Sequence, residues 1–198
     1  MQHFGDIAFG EHALQHQRRR GSFEAYDEMR AGPAAEGLGA HEIDFLGERD
    51  SFYLASVGEG GWPYVQHRGG PAGFIRVIDS THFAWADVAG NRQYVSAGNL
   101  DHDDRVALIA VDYPNRRRLK LLGHARFDTS PAAELLASLD ISGRIEALVT
   151  VEVVAFEWNC PKFITPRFTE AEVVAATEPL RRRIAELERE LAASTSVG

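Results

Sequence analysis

The chain reads QHRGGPAGF from Gln66 to Phe74, between two apolar runs of the kind that form β-strands. A polar and a cationic side chain are followed directly by glycines, which let a backbone approach a bound group closely. The flanking runs are Tyr64-Val65 and residues 74–78. This composition favours a turn between two strands that comes close to a flat, anionic ligand.

Outward from this stretch, short runs of β-forming residues separated by turns fill the middle of the chain. The predicted strands cover residues 52–57, 62–67, 74–78, 83–86, 106–111, 119–127 and 145–158. The turns are of hairpin length, and strands do not alternate with helices as they do in parallel sheets. The pattern therefore predicts a mainly β fold, an antiparallel β-barrel with flanking helices.

Helical patterns flank the predicted barrel. The predicted helices cover 11–30, 41–50, 92–100, the segment from Ser130 to Gly143, and the chain from Thr177 onward. The last of these has apolar residues at heptad-like spacing, and we expect them to pack on the barrel or on a partner subunit. We divide the chain into an N-terminal helical arm (1–40), a barrel domain (41–170) and a C-terminal helix (171–198).

The composition narrows the class of protein. The 198 residues are 44% hydrophobic and 25% charged, which is typical of a globular protein. A net charge of −8 argues against nucleic-acid partners and against binding to an anionic membrane. Cys160 is the only cysteine, which excludes an intrachain disulfide and fits a reducing compartment. With no signal-like N-terminus and no bilayer-spanning apolar run, we expect a cytoplasmic protein.

Two further cationic elements lie in the predicted barrel. The turn Gly90-Asn91-Arg92-Gln93 precedes a predicted helix, so backbone N–H groups and Arg92 could face a phosphate, although a solvated surface turn is the alternative. In Arg116-Arg117-Arg118-Leu119-Lys120, strand alternation places Arg118 and Lys120 opposite the apolar Leu119. These cations either stabilise an anionic ring and phosphate or form a charged outer face.

The sequence gives less support to a metal site, to nucleophilic catalysis or to a P-loop. His12 and His16 lie four residues apart on a predicted helix, but nothing completes a metal shell at recognisable spacing, so we predict no metal site. The chain has no Gly-x-Ser-x-Gly elbow and no phosphate-binding P-loop, and no catalytic residue is assigned. The extended stretch WNCPKF (158–163) suits either ring stacking at a subunit interface or simple cover for one end of the barrel.

Taken together, these motifs resemble the pyridoxamine 5′-phosphate oxidase-like family of FMN-binding split barrels. The resemblance runs from about residue 43 to 167 and is carried by QHRGGPAGF (66–74), GNRQYVSAGNL (90–100), RRRLKLLGHARF (116–127) and WNCPKF (158–163). It implies an antiparallel split β-barrel of Greek-key type. It also implies a homodimer with FMN in a cleft at the subunit interface.

The resemblance further implies a set of cofactor-binding residues. Gln66, His67 and Arg68 would line the flavin, residues 91–93 would hold its phosphate, and Asn99 would support the short helix. Arg118 and Lys120 would face the ring or the phosphate, while Trp158 and Lys162 would close the site from the partner subunit. The full implied set is Gln66, His67, Arg68, Gly69, Asn91, Arg92, Gln93, Asn99, Arg118, Lys120, Trp158 and Lys162.

The sequence also departs from the namesake enzyme of this family. Gln93 stands where that enzyme commonly has Lys, and residues 164–168 lack its Arg-x-His substrate pair. We therefore expect no vitamin B6 oxidation. The leading hypothesis is an FMN-dependent oxidoreductase that uses hydride transfer at flavin N5 on a small organic substrate, with NAD(P)H as a candidate electron source. The alternatives are a non-catalytic flavin-binding or sensing protein, and a split barrel that binds haem or a deazaflavin.

Overall fold

A computed structural model of the chain describes residues 1–131 and 143–195. The helices are α1 (Phe4–Ala8), α2 (Glu11–Arg20), α3 (Phe23–Ala31), α4 (Ala40–Gly47), α5 (Val95–His102) and α6 (Glu170–Thr195). The strands are β1 (Ser51–Val57), β2 (Pro63–Gly69), β3 (Arg76–Val77), β4 (His82–Val88), β5 (Arg105–Asp112), β6 (Arg117–Asp128) and β7 (Ile145–Trp158). The helix predicted between Ser130 and Gly143 falls on residues 132–142, outside the described ranges.

The strands form one antiparallel sheet in the order β2-β1-β5-β6-β7-β4-β3. The long strands β6 and β7 form its centre, and their register shifts between Leu122 and Gly123. A Cβ atom at Gly123 would collide with the carbonyl oxygen of Glu152, so the close approach of the two strands there requires glycine. The sheet with its flanking helices confirms the predicted mainly β class.

The sheet curls so that its two ends meet around one core. Alternate residues of each strand point inward, and the largest fully buried side chains include Phe52 of β1 and Trp85 of β4. The two rings pack edge to face with centroids 5.0 Å apart, although β1 and β4 lie near opposite ends of the sheet. Phe74, which follows β2, stacks on the other side of Phe52 at 5.8 Å. The backbone ladders described do not join β2 to β4, so the barrel is split between them.

Helix α4 closes one end of the barrel. Its Phe45 and Leu46 are buried, and Phe45 packs edge to face on Trp158 at the end of β7. Glu42 accepts a 2.9 Å hydrogen bond from the Gly39 N–H with one carboxylate oxygen and a 2.7 Å bond from the Trp158 indole with the other. One buried carboxylate therefore caps the helix and fixes it to the sheet.

The N-terminal arm differs from the single predicted helix. Gly21 adopts a left-handed conformation at φ 72° and separates α2 from α3, because glycine is the residue that ends a helix this way. The N–H of Gln2 donates to the carbonyl of Val154 in β7, and Met1 packs against the core. The arm belongs to the same compact unit as the barrel, Met1–Asp112 with Arg117–Pro161.

The second compact unit comprises Tyr113–Arg116 and the chain from Lys162, including α6. Helix α6 begins at Glu170 rather than at the predicted Thr177. Thr169 and Glu172 form a reciprocal cap, since the Thr169 N–H donates to the Glu172 carboxylate at 2.7 Å and the Glu172 N–H donates to Thr169 Oγ1 at 3.2 Å. In the first unit, the strand predicted over 74–78 is reduced to Arg76–Val77. No helix within the described ranges combines the length and apolarity needed to cross a bilayer.

Candidate cofactor site

A polar cavity of about 200 Å³ opens where the barrel is split. Three segments meet there: β2, the chain from the end of β4 into α5, and the ends of β6 and β7. Its lining residues are Gln66, Arg68, Asp87, Val88, Gly90, Asn91, Arg92, Gln93, Tyr94, Val95, Ser96, Ala97, Phe127 and Glu146. The structure thus brings together the predicted residues Gln66, Arg68, Asn91, Arg92 and Gln93.

The turn before α5 exposes the start of that helix to the cavity. Asn91 Oδ1 accepts a 3.2 Å bond from the Gln93 N–H, and Arg92 and Tyr94 adopt left-handed backbone conformations at φ 60° and 52°. Left-handed conformations are uncommon for residues other than glycine and are found at ligand sites. Tyr94 occupies the cap position of α5 without forming a side-chain cap, so this side chain does not compete for the first-turn N–H groups. A helix N-terminus of this kind binds anions.

Strand β2 contributes two side chains from its inward face. Gln66 Oε1 accepts hydrogen bonds from the hydroxyls of Tyr64 at 2.9 Å and Ser96 at 3.3 Å, which links β2 to α5. Arg68 Nη1 donates to Asp87 Oδ1 of β4 at 2.5 Å, across the split of the barrel. The Arg68 Nε atom is buried without a hydrogen-bond partner in the described structure. A ligand that offered an acceptor oxygen there would satisfy it.

Acidic groups in the cavity balance the cations. Burial raises the pKa of Asp87 and nearby Glu146 adds to the rise, while Arg68 opposes it. A hydrogen bond to Tyr94 raises the pKa of Arg92. Two carboxylates, Asp87 and Glu146, thus stand against two guanidinium groups, and the cavity offers both acceptors and donors.

Sequence reasoning missed four of the polar residues in this cavity: Asp87, Tyr94, Ser96 and Glu146. Asp87 had a readable signal, because a carboxylate directly after the apolar run 83–86 and three residues before the Gly90 turn is unusual in a buried strand. Tyr94 had none, since aromatic residues rarely adopt a left-handed conformation.

Other predicted residues lie outside this cavity. Asn99 is buried in α5 and donates from Nδ2 to Ser56 Oγ at 2.9 Å, which ties the helix to β1. His67 points to the opposite face of β2 and packs edge to face on Tyr53 at 5.5 Å. Gly69 ends β2 beside the Asp50 carbonyl. Their roles toward a cofactor stay predictions.

Lys120 also lies on the outer face of the sheet, where Nζ pairs with Glu157 at 3.1 Å and approaches the Phe4 ring at 5.0 Å. Arg118 shares that face, as the strand alternation predicted, and its Nε is buried without a hydrogen-bond partner in the described structure. The two cations are therefore separate from the polar cavity within one chain.

Trp158 is engaged in the chain's own packing. Its indole donates to Glu42, and its ring stacks against His41 at 4.5 Å and under the Arg117 guanidinium at 5.0 Å. These contacts do not support a reach toward another subunit, and that role stays a prediction. Lys162 belongs to the second compact unit, and its role also stays a prediction.

An apolar cavity of about 280 Å³ lies on the outer face of the sheet. Tyr53, Val65 and Ile109 line it with Leu122, and Phe4 of the N-terminal arm lies beside it. Val65 is 61% exposed, which is high for an aliphatic side chain amid other apolar groups. Among the described residues, no group of three or more His, Cys, Asp or Glu side chains could hold a metal ion.

Comparisons with known proteins place this geometry in a family. The pyridoxamine 5′-phosphate oxidase family model matches residues 41–158. No curated protein matches the chain. Among solved structures, HupZ of Group A Streptococcus aligns with a TM-score of 0.50 and 16% identity over 66% of this chain and 100% of HupZ.

Two further structures are similar. A single-residue variant of the same HupZ aligns with a TM-score of 0.50 and 17% identity over 62% of this chain and 99% of the variant. An FMN-binding protein of Syntrophomonas wolfei aligns with a TM-score of 0.47 and 10% identity over 74% of this chain and 97% of that protein. At such low identities the HupZ alignments support the fold alone.

The resemblance inferred from the sequence is confirmed, and the split β-barrel with it. Because the family match covers more than half of its residues, the chain belongs to the pyridoxamine 5′-phosphate oxidase family.

Proposed function

We propose that this protein is a flavoprotein that binds FMN, with the phosphate against residues 91–93 and the N-terminus of α5. One observation carries the proposal: the first turn of α5 has no side-chain cap and opens beside Arg92 into a cavity at the split of the barrel. N–H donors without a side-chain cap, a helix dipole and a guanidinium group together can recognise a phosphate.

The size and charge of the cavity fit one part of FMN. At about 200 Å³ it is smaller than the roughly 300–1,000 Å³ of pockets that enclose a whole small molecule. It therefore suits the phosphate and the ribityl chain better than the entire flavin. Asp87 and Glu146 supply acceptor oxygens for ribityl hydroxyl groups, while from β2 Gln66 supplies a donor to the ribityl chain and Arg68 a donor to the phosphate.

A second subunit would complete the site. Since the cavity does not enclose a flavin ring, the ring needs another surface to exclude water from it. The exposed apolar outer face around Tyr53 and Val65 supports pairing of two copies, because contiguous apolar patches mark interaction sites. We propose a homodimer with the flavin at its interface.

The proposed activity is that of an oxidoreductase acting on a small organic substrate. Bound FMN supplies hydride transfer at its N5 atom. The residues of this chain bind the phosphate and orient the ribityl chain, and the pairing of Asp87 with Arg68 sets how far that guanidinium group is available to the ligand. NAD(P)H is the candidate electron donor.

An absorption spectrum of freshly purified protein tests the cofactor. We expect flavin bands; a Soret band would show haem instead, and a colourless protein whose melting temperature FMN does not raise would overturn the proposal. Reduction by NAD(P)H with turnover of an acceptor would separate an enzyme from an inert flavin carrier.

The site itself is tested by Arg92→Ala, which we expect to weaken FMN binding about tenfold through loss of a charge-assisted contact. Arg126→Ala is the matched control, because Arg126 is exposed and lines a different cavity on the sheet. Equal affinities in the two variants would place the phosphate elsewhere.

A further inference from the structure

Helix α6 carries an exposed apolar stripe. Val173, Leu180 and Leu187 follow one another at intervals of seven residues, and Ile184 and Leu191 interleave with them. Leu180 is 65% exposed, Ile184 56% and Leu187 47%. The spacing places the first three at d positions and the other two at a positions of a heptad repeat, which is the seam of a coiled coil.

The proline within α6 does not interrupt this seam. Pro179 falls at position c, on the side of the helix away from the a and d residues. The seam residues 180–191 all lie on its C-terminal side, in a continuous run of helix. The usable stripe thus spans about three turns.

The charges that flank the stripe select an orientation. The e positions are Arg181 and Glu188, and the g positions are Arg183 and Glu190. A parallel pair of such helices apposes g with the following e of its partner, which joins Arg183 to Glu188. An antiparallel pair apposes e with e and g with g, which joins Arg181 to Glu188 and also Arg183 to Glu190. Two-fold symmetry repeats each contact, so the antiparallel pair has twice as many attractive contacts.

We propose that α6 pairs antiparallel with α6 of a second copy of this chain. In that arrangement Ile184 packs against Leu187 of the second copy, and Leu180 packs against Leu191 of the second copy. Within one chain Arg183 pairs with Glu186 at 3.0 Å and Glu190 at 3.7 Å, on an exposed helix surface. Surface ion pairs contribute little free energy, so Arg183 can exchange these partners for a glutamate of the second copy at little cost. The pairing is independent of the flavin proposed above.

Cysteine cross-linking tests the orientation. The background is Cys160→Ser, because Cys160 is a free, exposed thiol. Leu180→Cys and Leu191→Cys are prepared as separate full-length proteins and oxidised alone and mixed. We expect cross-linked dimers in the mixture and none from Leu180→Cys alone, because a disulfide needs Cα atoms about 4.4–6.8 Å apart. Arg182→Cys, at position f on the outer side of the helix, replaces Leu180→Cys in the control mixture and should give no cross-link.

Two results would overturn the proposal. Cross-linking of Leu180→Cys with itself would show a parallel pair, and no cross-link in any mixture would show that α6 does not pair. A shared melting temperature of the variants and the wild type excludes misfolding as the reason for a negative result.

Charge exchange tests the contacts that select the orientation. In the cysteine-bearing chains, Arg181→Glu with Arg183→Glu should lower the cross-linking yield about tenfold when both chains carry it, since every contact becomes repulsive. Glu188→Arg with Glu190→Arg in one chain and the first pair of changes in the other should restore the yield. A cross-linking yield that does not change with these substitutions would contradict the proposed pairing.

Discussion

The two faces of strand β2 differ in polarity and in the surfaces to which they belong. Gln66 and Arg68 point inward, where they meet Ser96 and Asp87 in a polar cavity at the split of the barrel. Val65 and His67 point outward, onto an apolar surface shared with Tyr53. Because side chains alternate along a strand, one short segment can serve two tasks. The proposed anion binding and the proposed subunit pairing should therefore be separable by single substitutions in neighbouring residues.

The largest effect is expected from a substitution in the core that supports both faces of β2. Phe52→Ala should lower the free energy of unfolding by about 3–5 kcal/mol, because Phe52 packs between Phe74 and Trp85 and holds the two ends of the sheet together. Urea unfolding measures the change. Trp62→Ala is the control, since Trp62 is largely exposed in the β1–β2 turn and its loss should change little. A Phe52→Ala protein that keeps the wild-type stability, FMN affinity and subunit pairing would show that the barrel does not need this contact.

The next effect concerns only the outer face. Val65→Asp should weaken subunit pairing about a hundredfold, because it places a charge on the apolar surface proposed to form the interface. Sedimentation equilibrium measures the dissociation constant, in chains that also carry Arg181→Glu and Arg183→Glu so that pairing through α6 does not contribute. Ile78→Asp puts the same charge on another exposed aliphatic position and should leave pairing unchanged. If Val65→Asp still dimerises at the wild-type affinity, the outer face is not the interface.

A pair of adjacent residues separates the inner face from the outer one. Arg68→Ala should weaken FMN binding about tenfold, since it removes a cation from the cavity and leaves Asp87 without its partner. His67→Ala, one residue away on the opposite face, should leave the phosphate contacts intact. Fluorescence titration with FMN and with riboflavin distinguishes phosphate contacts from ring contacts. The comparison fails if the two variants lose phosphate-dependent affinity equally.

The smallest expected effect is a change in the pH dependence of binding. Burial raises the pKa of Asp87, so this carboxyl takes up a proton sooner than an ordinary aspartate as the pH falls. The neutral form no longer competes for Arg68, which strengthens anion binding towards low pH. Asp87→Asn mimics that form and should bind FMN about threefold tighter than the wild type at neutral pH.

The advantage of Asp87→Asn should vanish as the pH falls through the raised pKa of Asp87. Taking the ratio of the two affinities at each pH cancels the protonation of the phosphate itself, whose second pKa is about 6. Asp104→Asn, in a separate cavity, is the control and should follow the wild type throughout. A constant ratio would show that Asp87 does not govern the availability of Arg68.

Much of the fold was predictable because its signals are local. The alternating apolar residues of 145–158 define β7 with the predicted bounds, and the cationic side of β6 follows from the same two-residue period. The start of α6 also has a local signal, since Thr169 and Glu172 form a capping box that indicates a helix beginning at residue 170 rather than at the predicted Thr177.

The remainder of the site depends on contacts between distant elements. The bond from Arg68 to Asp87 and the bond from Ser96 to Gln66 join segments whose proximity follows only from the curl of the sheet. The left-handed conformation of Tyr94 could not be predicted from its residue type, because aromatic residues rarely adopt it. Sequence reasoning located the turn before α5 that lines the cavity and missed the carboxylates Asp87 and Glu146 that line it too.

The ion pair between Arg68 and Asp87 has a further consequence for how the chain folds. The two residues lie 19 positions apart, so closing the barrel across its split encloses only a short loop. The ladder between β1 and β5 joins Tyr53 to Ile109 and encloses a far longer one. The ladder between β4 and β7 joins His82 to Glu152 and encloses a longer loop still. We therefore expect the two ends of the sheet to meet early in folding and these two ladders to pair late, with the slowest step at the β4–β7 ladder.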